Sequence, residues 1–198
     1  ASAATGSTTF VLAGGKGFDS ITLGNTTTSS VAGGALADTI SLFGSFIGSI
    51  YGDGLGDTTG TTSTQGGNDL IGTTATLYTA AASVYGAAGA DTIQFATLSA
   101  SGALIDGGNG ADLIGGTGAI YSAAASAGGS LIGGAGADTI NLGGASTAST
   151  GAQILGGTGH DSIGLYGQDA VITINGGSGL DTLNIANHVT AMLASTAN

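Results

Sequence analysis

An aspartate returns eight times along this chain, each time at the end of a glycine-rich run. Clear copies are GGKGFDSITL from Gly14, GGAGADTINL from Gly133 and GGSGLDTLNI from Gly176. The aspartates are separated by 19, 31, 22, 21, 26, 23 and 20 residues, in the order Asp19, Asp38, Asp69, Asp91, Asp112, Asp138, Asp161 and Asp181. Self-similarity at such a period is typical of solenoids, in which each repeat stacks on the next.

Two apolar columns accompany the aspartates. The first lies two residues before each glycine run and contains Leu12, Val31, Ile50, Val84, Ile105, Leu131, Ile154 and Ile174. The second lies two residues after each aspartate and contains Ile21, Ile40, Ile71, Ile93, Ile114, Ile140, Ile163 and Leu183. Alternation of β-branched and polar residues predicts short strands with one buried face. Helix is disfavoured, because each glycine costs about 1 kcal/mol in a helix interior.

Each repeat therefore reads as strand, glycine turn, strand and variable turn. We expect an all-β fold, a right-handed parallel β-solenoid of about eight coils that lie about 4.8 Å apart. Residues 1–186 form this solenoid, with an enlarged loop at 52–67, and residues 187–198 form a C-terminal cap or linker. Asp53 and Asp57 lie in the enlarged loop, and Asp57 is an alternative motif aspartate.

Stacking places one carboxylate above another in a chain that has a single lysine, no arginine and a net charge of −11. Two like charges about 4.8 Å apart repel by about 0.9 kcal/mol even at the dielectric constant of water. A divalent cation between successive turns makes this interaction favourable. Inward-facing carbonyls and carboxylates at flexible spacing favour calcium over magnesium. The predicted cofactor is Ca²⁺, at about seven positions between eight turns.

The run G-G-x-G-x-D-x-hydrophobic resembles the calcium-binding nonapeptide of RTX proteins, parallel β-rolls that bacteria export, often by type I secretion. The resemblance implies that turn carbonyls and the aspartate carboxylate bind calcium. The implied aspartate ligands are Asp19, Asp38, Asp69, Asp91, Asp112, Asp138, Asp161 and Asp181, with Asp53 and Asp57 as further candidates. The implied glycine ligands are Gly14, Gly15, Gly17, Gly33, Gly67, Gly86, Gly89, Gly107, Gly110, Gly133, Gly136, Gly156, Gly159, Gly176 and Gly179.

Three departures from the family pattern affect this prediction. The variable turns lack motif aspartates, so we expect calcium along one edge only. Leu36 replaces the fourth-position glycine of the second turn, and Ala87 replaces the second-position glycine of the fourth turn. These two sites depart most from the consensus.

Composition argues against several function classes. The acidic balance, with Lys16 as the one cationic side chain, disfavours nucleic-acid binding. No apolar run reaches the roughly 18 residues that a membrane helix needs. With no Glu, Cys or Arg, and with His160 and His188 standing apart, the acid–base inventory is too small for catalysis, so we expect no enzyme activity. An ice-binding adhesin is a weaker alternative, since Leu70 and Leu113 interrupt the outward Ser/Thr row.

The resemblance is closest to the RTX-like segments of bacterial surface-layer proteins. It implies an extracellular or cell-surface structural protein whose partners are copies of itself or the rest of a larger polypeptide, with cell-surface glycans as a further candidate. The alternative is the RTX module of a larger secreted enzyme or adhesin. These two hypotheses differ in what flanks the segment.

Overall fold

A computed structural model of the chain describes residues 10–24, 29–43, 46–57, 66–73, 82–95, 102–115, 129–143, 150–166, 171–186 and 190–193. All regular structure in these ranges is β-strand. No helix there is long and apolar enough to cross a membrane. Most of the variable turns, the middle of the enlarged loop (58–65), Asp169 and His188 lie outside the described residues.

The strands form two parallel sheets that the chain visits alternately. The nine-stranded sheet contains β1 (Val11–Lys16), β3 (Ser29–Ala35), β5 (Gly48–Tyr51), β7 (Ala82–Ala88), β9 (Leu104–Asn109), β11 (Ser130–Ala135), β13 (Thr150–Thr158), β15 (Val171–Ser178) and β17 (Thr190–Leu193). The eight-stranded sheet contains β2 (Ser20–Leu23), β4 (Thr39–Leu42), β6 (Leu70–Thr73), β8 (Thr92–Ile93), β10 (Leu113–Gly115), β12 (Thr139–Gly143), β14 (Ser162–Tyr166) and β16 (Thr182–Ile185). The predicted all-β parallel solenoid is confirmed.

Both apolar columns stack in register. Leu12 pairs with Val31 and Val31 with Ile50, while Ile21 pairs with Ile40 and so on along the second sheet. These residues are buried, apart from the partly buried Leu12 and Leu183 of the end coils. Because successive side chains of a strand point to opposite faces, the in-register columns fill the space between the sheets as a thin continuous core.

The predicted cap segment, residues 187–198, contributes a strand. β17 pairs in parallel with β15, and Leu193 stands opposite Ile174. The nine-stranded sheet therefore extends one strand beyond the last strand of its partner sheet.

We call the segment that joins a strand of the nine-stranded sheet to the next strand of the eight-stranded sheet a glycine turn, and number its positions one to six from the first glycine to the aspartate. The regular glycine turns are residues 14–19, 33–38, 86–91, 107–112, 133–138, 156–161 and 176–181. The third turn begins at Gly52 and ends at Asp69. The enlarged loop interrupts it.

Candidate metal centre

The aspartate at position six of each glycine turn points into the solenoid. Its exposed fraction is 1–2% in the second to seventh coils, at Asp38, Asp69, Asp91, Asp112, Asp138 and Asp161. Asp19 of the first coil is half-buried, and Asp181 of the last coil is exposed. Ionised carboxylates are rarely so buried without a compensating partner. The arrangement therefore needs a source of positive charge or of hydrogen-bond donors.

One oxygen of each carboxylate has a donor. The backbone N–H of each turn aspartate donates to Oδ1 of the aspartate in the next coil, for example from Asp91 to Asp112 at 2.8 Å and from Asp112 to Asp138 at 2.8 Å. The same bond joins all seven successive pairs, from Asp19–Asp38 to Asp161–Asp181. The aspartates thus form a continuous ladder along one edge of the solenoid.

The other oxygen, Oδ2, lies beside the same glycine as a carbonyl oxygen of the next coil. A Cβ added to Gly107 would lie 2.5 Å from Oδ2 of Asp112 and 2.6 Å from the carbonyl oxygen of Gly133 in the next coil. Both oxygens thus converge on the same first-position glycine. Among the described atoms, no donor reaches Oδ2 of Asp19, Asp38, Asp69, Asp91, Asp112, Asp138 or Asp161, and these oxygens are buried. A buried carboxylate oxygen that has no donor and lies near a carbonyl oxygen needs a proton or a cation beside it.

This arrangement recurs at seven coil interfaces. Each unites a first-position glycine, the aspartate of its own turn and the first-position carbonyl of the next turn. The sets are Gly14, Asp19 and Gly33; Gly33, Asp38 and Gly52; Gly52, Asp69 and Gly86; Gly86, Asp91 and Gly107; Gly107, Asp112 and Gly133; Gly133, Asp138 and Gly156; and Gly156, Asp161 and Gly176. In the last coil the three nearest described atoms to a Cβ on Gly176 all belong to Asp181.

Burial raises the pKa of the middle aspartates, to about 8 for Asp69, about 7 for Asp91 and Asp112, and about 6 for Asp138. The backbone N–H bond lowers each pKa in part, while neighbouring carboxylates raise it further. The anionic form is therefore costly in the protein alone. A cation beside Oδ2 would reverse that preference.

The donor set fits a hard cation. Across the described residues, no three Asp, Glu, His or Cys side chains gather at one point. A metal at a coil interface would thus take backbone carbonyls in addition to aspartate oxygens. Calcium accepts such all-oxygen sets with variable geometry, whereas magnesium demands a stricter octahedron. The residues present fit calcium through Oδ2 and the first-position carbonyls.

The glycines at positions two and four have a different task from that at position one. A Cβ on Gly34, at position two with φ of 124°, would overlap the carbonyl oxygen of Gly15 in the coil below. Leu36 and Ala87 replace such glycines and still adopt positive φ, of 75° and 80°. Their coils keep the same arrangement of glycine, Oδ2 and carbonyl as the others. The backbone of these two turns is therefore regular but strained.

The third turn differs from the sequence-based interpretation. Its first-position glycine is Gly52, which approaches Oδ2 of Asp69 and the carbonyl of Gly86. Gly67 occupies position four, since a Cβ on Gly89, at position four of the next coil, would overlap the Gly67 carbonyl oxygen. The candidate set missed Gly52. The signal for it was Ile50, the column residue two positions before it.

Asp53 and Asp57 are both buried beside this turn, with exposed fractions of 0% and 3%. Asp53 accepts backbone N–H groups on both oxygens, from Gly67 at 3.2 Å and from Ala88 at 3.0 Å. The Asp57 backbone N–H donates to the carbonyl of Gly54. Neither residue belongs to the aspartate ladder.

No family model matches the chain, and searches among curated proteins and solved structures return no match. The functional argument therefore depends on the geometry and on the sequence of the turns.

Proposed function

We propose that the chain is a calcium-stabilised structural solenoid of the bacterial cell surface, a segment of a surface layer or a similar extracellular assembly. The observation that carries the proposal is the buried Oδ2 atom that has no donor among the described atoms and lies near a carbonyl oxygen of the next coil, at seven coil interfaces. A divalent cation there would bridge each coil to the next. The resemblance of the turns to RTX repeats supports calcium as that ion.

The extracellular setting follows from the same chemistry. Binding to the folded state alone adds stability that grows with the ratio of free cation to its dissociation constant. Calcium is abundant outside cells and scarce in the cytosol, so a chain of this kind would fold after export. A structural function is supported by the regularity of the repeat, because each repeat contributes to the stacking of coils.

Circular dichroism of the purified chain near neutral pH tests the proposal. The metal-free chain should lose its β spectrum, and millimolar calcium should restore it while equal magnesium should not. Native mass spectrometry of the refolded chain should count about seven ions. A full β spectrum in chelator, unchanged by calcium, would overturn the proposal.

The surface-layer assignment needs its own test. Light scattering in calcium, at several protein concentrations, should show association that chelator reverses. A folded, calcium-bound chain that stays monomeric throughout would leave the calcium sites standing but remove self-assembly of this segment.

A further inference from the structure

The third glycine turn has the same arrangement of glycine, aspartate and carbonyl as the other turns, although the enlarged loop interrupts it. In a regular turn the aspartate follows the first glycine by five positions, as Asp19 follows Gly14, whereas Asp69 follows Gly52 by seventeen. Gly52 and Asp69 nonetheless meet as their counterparts do in the other coils. Something must hold the two limbs of the interrupted turn together, because a longer closed loop costs more conformational entropy.

Pairing between strands does not hold the two limbs of the interrupted turn together. β7 and β9 run on through position three of their turns, to Ala88 and Asn109, and pair there with each other. β5 ends at Tyr51, before its turn begins, and its last pairs are Ala32 with Tyr51 and Tyr51 with Tyr85. β5 therefore lacks the strand extension that β7 and β9 have, and backbone groups that would pair with that extension need other partners.

The Asp53 carboxylate supplies those partners. Its Oδ1 accepts the N–H of Gly67, in the returning limb, and its Oδ2 accepts the N–H of Ala88 in the next coil. Asp53 itself follows Gly52 directly and is completely buried. One side chain thus joins the outgoing limb, the returning limb and the neighbouring coil.

We propose that Asp53 is the positioning residue of the third metal site and not a metal ligand. This inference rests on the proposed calcium function for its affinity readout, but the tether itself does not. Both Asp53 oxygens are engaged by N–H donors, and its charge adds to the negative field at Asp69 and Asp91. Groups that orient a ligand without touching the metal commonly change metal affinity by about 10- to 100-fold.

The first test compares Asp53→Asn with Asp106→Asn in the full chain. Each variant removes one negative charge from a buried or half-buried site near the aspartate ladder. Asp106 accepts the N–H of Gly108, and Asn175 shows that an asparagine can serve the equivalent role, since it accepts the N–H of Gly177 at 3.0 Å. An asparagine at 53 cannot accept on both sides, because its NH₂ group is a donor.

Calcium titration by calorimetry and native mass spectrometry, with amide hydrogen exchange, supplies the readouts. Asp53→Asn should weaken one ion by about tenfold or more and speed exchange at the Gly67 and Ala88 amides. Asp106→Asn should do neither. Equal titrations for the two variants, with both amides still protected in Asp53→Asn, would overturn the proposal.

A second variant separates positioning from ligation and serves if Asp53→Asn does not fold. Replacing residues 53–65 with a single glycine gives the continuous turn G-G-G-G-N-D from Gly52 to Asp69. This chain should bind as many calcium ions as the wild type, since a regular turn needs no tether. Loss of one ion would show that the excised segment supplies ligands, and the positioning role would then be wrong.

The readouts also distinguish this inference from the proposed function. If the wild-type chain binds no calcium, the proposed function fails, and the exchange rates at Gly67 and Ala88 still test the tether in the folded chain. If calcium binds and the exchange rates match in the two variants, only the tether fails.

Discussion

The sixth and the eighth coils carry the same turn motif but place its aspartate in different surroundings. Asp138 is 1% exposed, whereas Asp181 is exposed to solvent. Asp138 faces the carbonyl of Gly156 in the coil above, and among the described residues no further glycine turn stacks on 176–181. A copy of the motif therefore does not make a site by itself. The aspartate is buried where a second coil covers the first.

The largest effect should be the pH response of the metal-free chain, which reports on the covered coils. Their aspartates have pKa values raised by burial, to about 6 at Asp138 and about 8 at Asp69. A raised pKa means that the folded state holds its proton more tightly than the unfolded state does. The contribution to stability is complete below the ordinary pKa of about 4 and is lost as the pH rises towards 8.

Thermal melts of exhaustively demetallated protein between about pH 4 and pH 8 measure this response. The melting temperature should fall as the pH rises, until no folded state remains near neutral pH, where the metal-free chain is expected to lose its β spectrum. With saturating calcium the dependence should shrink over the same range, because the ion and not a proton then neutralises Oδ2. A metal-free chain equally stable at both ends of the range would contradict the buried, donor-free state of these oxygens.

The next effect contrasts Asp138→Asn with Asp181→Asn. The asparagine at 138 can still accept the Asp112 N–H but has no charge to balance a cation at the interface. Removing one partner of a buried charge pair costs about 3–5 kcal/mol. Asp181→Asn should change little, because Asp181 is exposed and no turn among the described residues covers it. Calcium-dependent denaturation of the two variants measures the difference, and equal losses would refute the distinction between covered and uncovered turns.

A third comparison uses the first-position glycines of the same coils. A Cβ on Gly133 would lie 2.6 Å from Oδ2 of Asp138 and overlap the carbonyl oxygen of Gly156. Gly133→Ala should cost about 2–3 kcal/mol, because backbone of the next coil must move. The nearest atoms to a Cβ on Gly176 all belong to Asp181: its Oδ2 and Cγ can rotate away, whereas its Cβ at 2.8 Å cannot. Because none of these atoms is a carbonyl of a next coil, Gly176→Ala should cost less than Gly133→Ala, about 1 kcal/mol. Urea unfolding in calcium measures both costs. A larger cost for Gly176→Ala than for Gly133→Ala would contradict the placement of these turns.

Strain in two covered turns gives a smaller effect of opposite sign. Leu36 and Ala87 adopt positive φ, which costs of order 1–3 kcal/mol for residues with a side chain. Leu36→Gly should stabilise the chain by about 1 kcal/mol, reduced from the strain because glycine adds entropy to the unfolded state. Leu36→Ala serves as the control, since it shortens the side chain but keeps the Cβ. A gain shared by both variants would point to the exposed leucine side chain and not to the backbone.

The contrast between regular and interrupted turns also shows which features could be predicted from the sequence. Both apolar columns were predictable, because a parallel solenoid repeats its side-chain positions in register, and Ile21, Ile40 and their successors stack as expected. Gly52 and Asp53 were not. Their roles depend on the return of the chain at Gly66, which follows no period. In addition, an aspartate that accepts two backbone N–H groups cannot be distinguished by sequence from an aspartate that binds a metal.

The last strand failed to stand out for a related reason. Leu193 follows Ile174 by nineteen residues, the same interval that separates Asp19 from Asp38. Ser195 and Thr196 stand where the glycine run would begin, so the periodic signal is only half present. The strand thus continues the apolar column without the glycine run that marks the other repeats.

The smallest predicted effect concerns position five of the turn, where coils differ in a single acceptor. Oδ1 of Asn68 accepts the Ala90 N–H at 2.8 Å, and Nδ1 of His160 accepts the Leu180 N–H at 2.9 Å. Ala111 occupies the same position below Ala137 and offers no acceptor there. Ala111→Asn should add the missing bond and stabilise the chain by about 0.5–1 kcal/mol, at the low end for a bond because the position is exposed.

The matched control is Ala111→Leu, which adds a side chain of similar size without an acceptor. Chemical denaturation in saturating calcium should separate the two variants, and slower exchange at the Ala137 amide in the asparagine variant alone would identify the new bond. Equal stabilities with unchanged exchange would mean that water already satisfies this amide as well as a side chain can. The acceptors of Asn68 and His160 would then add nothing to the stability of coil stacking.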